Sequence, residues 1–431
     1  MISNNIDVNN LGHLTINGYD TLKLADEYQT PLYLIDEDRI RANCRLYHTT
    51  MRKYFGATAL PLYASKALCF KELYRIINEE QLGIDVVSNG EIYTAYQAQF
   101  PLEKAYFHSN NKTKSDILFA MQHKVGYFVV DGIDELNAIE KEANELNIEQ
   151  KVLLRLTPGI DLHTFEAVKT GKVDSKFGTA IETGQAQQIT RYCLTLKHIK
   201  LMGFHCHIGS QIFDIDPYER TINIMFDFMV DMHNKLGYIT KELNLGGGFG
   251  VRYTDLDPII NIEDNIKNLA LIINKRLTKD KLPMPSIRLE PGRSIVADAG
   301  MTLYTVGSVK EIPGYKNYVS IDGGMTDNPR FALYGSKYTV YNAGKMNEKS
   351  SIKYDVVGRC CESGDIIQKD VNLPETKYDD IIAVLATGAY NYSMASNYNR
   401  ICRPPIIMLS KAKHYIAVKR ESLDYLIEND I

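Results

Sequence analysis

The chain has 431 residues, 45% hydrophobic and 24% charged. That length exceeds one ordinary core, and the balance excludes a disordered chain, a collagen-like chain and a coiled-coil rod. With 49 Lys and Arg against 53 Asp and Glu the net charge is -4, so no basic surplus argues for a nucleic-acid partner. Seven cysteines, from Cys44 to Cys402, include no CxxC pair, which argues against a disulfide framework or a zinc ribbon. The polar start, Met1 to Asn10, lacks a basic-then-apolar signal pattern. No apolar run approaches the ~20 residues that cross a bilayer. A cytoplasmic protein with no membrane partner is the expectation.

In chain order, His13–Gly18 and Leu32–Ile35 look extended and are expected to join a β-rich domain. Eight apolar runs follow: Leu60–Ser65, Ile84–Ser88, Ala105–Ser109, Gly126–Asp131, Lys151–Thr157, Lys200–His207, Glu242–Leu245 and Ser286–Glu290. Helical patterns such as Asp134–Leu146 and Tyr218–Leu236 lie between them. Eight βα units are the number that closes a parallel barrel. A doubly wound sheet is the alternative, but its fingerprint is missing, because Val251 stands where GxGxxG needs its last Gly. A P-loop fails too, with Val173 after Gly171-Lys172 and Glu166 in place of the first Gly. After Pro291 the runs Met301–Ile312, Asn317–Asp322, Tyr338–Asn342, Ser351–Arg359, Asp380–Ala386, Ile406–Ser410 and His414–Lys419 read as short antiparallel strands. The tail from Glu421 onward is expected to form a helix. The predicted architecture is a (β/α)8 barrel over 37–290 and an all-β domain made of 1–36 and 291–431.

Chemistry in such a barrel gathers at the C-terminal strand ends, with phosphate held after strands seven and eight. Those ends carry Lys66, Asp85 with Ser88, His108, Asp131, Arg155, His207, the Gly246–Gly248 turn, and Glu290 with Gly292 and Arg293. Glycine backbone and a guanidinium together suit an anion. A Lys after an apolar strand is usually just an exposed end residue. Lys66, however, faces a mouth of this kind, and a desolvated Lys can form a Schiff base. Phosphate anchor, imine-forming Lys and carboxylate are the parts of a pyridoxal 5'-phosphate site. A rival reading puts a metal on His205 and His207, an H-x-H whose alternate residues share a strand face. A core histidine is a third.

The motifs carry a resemblance over nearly the whole chain. They are YASKAL at Tyr63–Leu68, DVVSNGE at Asp85–Glu91, HCHIGSQI at His205–Ile212 and LGGGFG at Leu245–Gly250. They continue with EPGRSIVADAG at Glu290–Gly300, DGGMTDNPRFALYG at Asp322–Gly335, CCESGD at Cys360–Asp365 and TGAYNYSMASNYN at Thr387–Asn399. In these the chain resembles the diaminopimelate decarboxylases, in the pyridoxal-phosphate family with an alanine-racemase-like barrel that also holds ornithine and arginine decarboxylases. The resemblance implies that Lys66 binds the cofactor covalently, His207 stacks on its ring and Glu290 meets the pyridine nitrogen. It places Asp85 in the cofactor set as well, with Ser210, Gly247, Gly248, Gly292, Arg293 and Tyr390 on the phosphate side. A homodimer with shared sites is implied, Cys361 and Glu362 reaching the partner's barrel mouth. Two positions depart from the family pattern: Phe331 replaces a usual Pro, and Asp298 stands where Asn or Glu is common.

The resemblance makes Cys361 the proton donor after CO2 leaves, although most free thiols are simply buried and inert. A carboxylate at Glu290 favours a decarboxylase over a racemase, which is expected to put a cation there. For the distal end of the substrate, Arg330 and Glu362, helped by Arg293, Tyr334 and Tyr390, supply the acid and guanidinium that a distal ammonium and carboxylate want. Without the resemblance Arg330 and Glu362 read as surface charges. The expected reaction is meso-2,6-diaminopimelate to L-lysine and CO2. Decarboxylation of ornithine or arginine, a non-catalytic pyridoxal-phosphate protein, and a metal hydrolase are the alternatives.

Overall fold

The computed structural model describes residues 1–160 and 175–431, so the residues of the failed P-loop reading, Glu166 and Gly171 to Val173, lie outside the described ones. Two compact units emerge. One comprises Cys44–Gly250 and Ile260–Gly292; the other comprises Met1–Asn43, Val251–Ile259 and Arg293–Ile431.

In the first unit, eight parallel strands close a ring. They are Leu60–Ala64, Gly83–Val86, Ala105–Phe107, Tyr127–Val130, Gln150–Thr157, Ile199–His205, Glu242–Asn244 and Ser286–Leu289. Each neighbours the next, and the eighth returns to the first through Arg288 against Leu60 and Leu289 against Pro61. All eight correspond to the predicted runs, with ends shifted by one or two residues. Thr179–Ala180, a two-residue strand along the end of the fifth, was not expected. The alternating helices start where local chemistry permits. Ser88 caps Asn89–Gln97 by accepting from Glu91 N, and Thr113 with Asp116 forms a capping box before Lys114–Gln122. The predicted helices appear as Ile133–Glu145 and Asp216–Leu236, the latter ended by Gly237 at φ +65°.

Leu62, Tyr106, Val129 and Leu153 pack together inside the barrel. Polar groups share this interior. Arg288 Nη2 lies 2.8 Å from Glu242 Oε2, Tyr106 donates to Glu242 Oε1 at 2.7 Å, and Arg288 Nε donates to Tyr106 at 3.0 Å. Burial raises the Glu242 carboxyl, with Arg288 and Tyr106 opposing that rise.

In the second unit, Leu32–Asp36 is central, antiparallel to Gly300–Ile312 and parallel to Ile406–Leu409. The sheet continues through Lys316–Ile321, Ile352–Val357 and Ile366–Leu373 on one side and His414–Val418 on the other. The strand Ile366–Leu373 was missed in the sequence, because Gln368, Lys369, Asp370 and Asn372 break its apolar alternation. Of the stretch His13–Gly18, Leu14–Ile16 forms a strand in a separate three-stranded sheet with Ile6–Val8 and Tyr19–Asp20. The tail supplies the short helix Leu423–Ile427, capped by Ser422. Asp298, one of the two departures, accepts from Arg39 Nε at 3.0 Å and from Asn43 Nδ2 at 3.2 Å. Its role here is structural. Phe331 lies in the short helix Arg330–Tyr334, which Pro329 precedes.

Glu242→Gln keeps shape but leaves the Arg288 guanidinium buried without its counter-charge. The expected cost is about 3–5 kcal/mol, read as a lower urea midpoint. Glu242→Gln with Arg288→Met should recover part of it; a single variant as stable as the parent would show that the pair contributes little.

Candidate active site

The barrel strands deliver their polar ends to one rim. Glu290, just past the eighth strand, is buried among polar side chains from three others. Asn244, ending the seventh, donates Nδ2 to Glu290 Oε1 at 2.8 Å, while its own Oδ1 accepts from Gly246 N at 2.9 Å. His205, ending the sixth, pairs through Nε2 with Glu290 Oε2 at 3.2 Å. His108, after the third, brings Nε2 within 2.9 Å of Oε1, though not aligned as a hydrogen bond. Burial alone would raise the Glu290 carboxyl, but His108 and then His205 outweigh it and hold it well below its usual value. Glu290 is ionised. Asp85, at the end of the second strand, lies 3.9 Å from His108 Nε2 and is raised by burial.

The H-x-H reading needs correcting. His205 turns to Glu290, whereas His207 Nδ1 accepts from Gly247 N at 3.2 Å. The two do not converge as ligands. Among the described residues, His108, His205 and Glu290 do have ligand-like atoms within 4.8 Å of one another, but Asn244 and His205 already serve that carboxylate as hydrogen-bond partners. Burial, with Lys66 and Arg155 as nearby cations, pushes His207 well below its usual range, so it is neutral.

The glycine turn follows from space as well as flexibility. Gly246 has φ +69° and Gly248 φ +115°, and a Cβ on Gly247 would collide with the Glu290 carbonyl. Ser210 lies in the adjoining loop, which is pinned to this turn where Ile212 N donates to Gly248 O at 2.9 Å. Gly292 sits so close to Ala64 that a Cβ would come within 2.8 Å of the Ala64 Cβ. Lys66 stands on a short turn after the first strand and is exposed. The desolvation expected for it is therefore not supplied by this chain's own packing.

The β-rich unit holds a second group. Arg293 is buried and donates Nη1 to Tyr253 at 2.6 Å, with its guanidinium carbon 4.7 Å from the Tyr390 ring centre. Arg330 is buried too, 5.3 Å from that ring and 5.0 Å from the Tyr334 ring, and its Nε has no hydrogen-bond partner. Tyr390 itself has φ +62°, a left-handed conformation that a non-Gly residue holds only under constraint. Cys361 and Glu362 lie elsewhere, exposed on the turn between Ile352–Val357 and Ile366–Leu373. No hydrogen bond or ion pair joins Arg330 to Glu362 among the described residues.

The profile of "Pyridoxal-dependent decarboxylase, pyridoxal binding domain" matches residues 37–297, more than half of the chain. A diaminopimelate decarboxylase of Bacillus methanolicus is 43% identical over 416 residues, 96% of each chain. That of Bacillus subtilis is 41% identical over 423 residues, 98% of this chain and 96% of its own. The crystal structure of the M. jannaschii enzyme in complex with L-lysine superposes with a TM-score of 0.91 at 34% identity, covering 99% and 98% of the two chains. The chain belongs to the diaminopimelate decarboxylase family.

The family's cofactor fits the residues present. Asp85 Oδ1, His108 Nε2 and Asp131 Oδ1 are buried at the strand ends without hydrogen-bond partners among the described residues. They accompany an ionised carboxylate and a neutral imidazole beside the glycine turn. His108, His205 and Asn244 were not assigned to the cofactor site from sequence, although two of them end strands and the third follows one. Among the described residues, no helix is long and apolar enough to cross a membrane.

Burial lowers His205 from its usual 6.5 to about 4, with Glu290 pulling the other way. A histidine depressed in the folded state binds its proton more readily when unfolded, so stability should rise with pH between about 4 and 6.5. His205→Asn should remove up to about 1.4 kcal/mol per pH unit from that slope. Denaturant unfolding across the window measures it, and an unchanged slope would mean that His205 is not buried neutral.

Proposed function

We propose that the protein decarboxylates meso-2,6-diaminopimelate to L-lysine and CO2, the last step of lysine biosynthesis, with pyridoxal 5'-phosphate as cofactor. The observation that carries the substrate reading is Arg330. It is a second buried guanidinium beside Tyr390, apart from Arg293, and its Nε has no hydrogen-bond partner. A substrate with only a distal ammonium has no use for it; a distal carboxylate does.

When bound, the cofactor supplies an electron sink for the pair left as CO2 departs. Lys66 is the residue for covalent attachment, and His207 presents a neutral imidazole face to the ring. Glu290, kept ionised by its donors, holds a proton at the pyridine nitrogen. Gly247, Gly248 and Ser210 hold the phosphate with Gly292, Arg293 and Tyr390, and Asp85 completes the set. Arg330, Tyr334 and Glu362, with Arg293 and Tyr390, bind the substrate, and Cys361 delivers the proton that replaces the carboxylate. The barrel, 37–290, carries the cofactor. The β-rich remainder, 1–36 and 291–431, completes the site across a homodimer, for which the exposure of Cys361 and Glu362 on the single chain is support. A soluble cytoplasmic setting is part of the same reading.

The purified protein should be yellow, and Lys66→Ala should abolish the visible band; a colourless parent that cannot be reconstituted with pyridoxal phosphate would sink the cofactor assignment. Arg330→Ala should raise the KM for diaminopimelate about 10- to 100-fold, since it removes a charge-assisted contact worth ~1.5–3 kcal/mol. A CO2-release assay on a small amino-acid panel is the companion measurement. Faster release from ornithine or arginine than from meso-diaminopimelate would favour the ornithine/arginine alternative.

Lys66→Ala and Cys361→Ala should each be nearly inactive. Mixed under verified subunit exchange, they should regain activity, because each heterodimer holds one site with both residues intact. No recovery would place Cys361 in its own subunit's site or outside the chemistry.

A further inference from the structure

Gly324 in DGGMTD, Asp365 in CCESGD and Gly358 just before that second motif are left without a role by the reading above. The structure brings them to one point. Asp365 is buried, 3% exposed, just after the turn that carries Cys361 and Glu362. Its Oδ2 accepts from Cys360 N at 2.7 Å, and its Oδ1 accepts from Met325 N at 2.6 Å, on a separate loop. Its backbone closes the same turn: Gly358 N donates to Asp365 O and Asp365 N donates to Glu362 O, both at 3.0 Å. A parallel tie runs from Arg359 N to Gly323 O at 2.9 Å. The glycines make the room. A Cβ on Gly324 would lie 2.5 Å from the Asp365 carboxylate, and one on Gly358 closer still. Cys361 N is held independently by Asn399 Oδ1 at 2.9 Å.

We propose that Asp365 is a positioning residue for Cys361 and Glu362, fixing their exposed turn to the buried Gly323–Met325 backbone. An exposed hairpin turn has few packing contacts to hold its tip, so its aim depends on the point where it is tied down. A carboxylate that accepts from one amide in the turn and another outside it is such a tie. Backbone amide donors give it direction as well as strength.

The proposal rests on the reading that each chain's Cys361 and Glu362 serve the partner's barrel, and it therefore has a signature that general weakening of the fold lacks. Asp365→Ala should keep the Lys66-dependent visible band and the dimer while kcat falls on the order of 100-fold, the usual scale for a misplaced reacting group. Mixed with Lys66→Ala under subunit exchange it should regain activity, because one site then pairs an intact Lys66 with a turn whose Asp365 is intact. Mixed with Cys361→Ala it should regain almost nothing, because both lesions disable the same element. Asp365→Asn keeps the shape and one acceptor oxygen; it should show the same pairing pattern with a smaller loss, and stands in should the Ala variant not fold. Recovery with Cys361→Ala, or with neither partner, overturns the proposal. The mixture of Lys66→Ala with Cys361→Ala separates the two layers: if it regains nothing, the shared-site reading fails, whereas recovery there without the expected Asp365 pattern leaves only the positioning role refuted.

Discussion

A carboxylate buried at the mouth of a barrel keeps its charge only if donors replace the water it has lost. Glu290 meets that condition through Asn244 and His205, with the His108 ring nitrogen 2.9 Å away, so that residues from four strands or their ends, its own included, converge there. None is near another in sequence except by strand order, so the charge on Glu290 depends on closure of the ring. An open sheet would separate the third strand from the eighth. The same constraint fixes the neighbours. Asn244 is turned so that its carbonyl oxygen receives Gly246 N and its amide faces Glu290, which joins the glycine turn to the carboxylate. His205 donates to an anion without itself becoming charged.

The glycine turn is the second consequence of crowding at that rim. Gly247 has the Glu290 carbonyl where a side chain would go, and its N–H is directed to His207 Nδ1. That bond leaves the His207 proton on Nε2 and sets the plane of the ring. The loop from His207 to Ile212 is tied to the turn at Gly248 and Gly250. Hydrogen bonds thus join the imidazole and the loop that carries Ser210 to the glycine turn. The proposed cofactor, with a phosphate and a flat ring in fixed relation, would benefit from such a linkage, since approach errors of an ångström are costly.

The barrel was legible because its eight strands are short apolar runs spaced by amphipathic helices, and because each ends in a group that can ionise or bind an anion. Lys66, Asp85, His207, the glycine turn and Glu290 follow from that rule alone. Their partners do not. Nothing in the spacing says that His205 and His108 turn toward one carboxylate, and strand alternation suggested a pairing of His205 with His207 that the backbone turn after His205 breaks. Lys66 is exposed on the single chain, and the desolvation expected of it depends on surroundings that the sequence does not place. In the β-rich unit the strand Ile366–Leu373 was hidden by its polar residues. Arg330, Cys361 and Glu362 lie in a short helix and a turn without periodic signal, so only the resemblance of whole motifs could single them out.

Arg293 and Arg330 have their guanidinium carbons within about 10 Å of each other, since both lie against Tyr390. At that separation and an effective dielectric of ~20, two like charges repel by about 1–2 kcal/mol. The Tyr253 hydroxyl and the tyrosine ring faces offset part of this, because the face of an aromatic ring is negative. The remainder is relieved when an anion binds between or beside them, and it is increased by a cation. A ligand with one phosphate and a distal carboxylate gains twice, once at each guanidinium. A ligand ending in an ammonium alone gains once and is repelled once. Under the proposed assignment, a preference for a distal carboxylate over an ammonium alone would follow from the pair of arginines sharing one ring, and the constrained backbone of Tyr390 keeps that ring beside both.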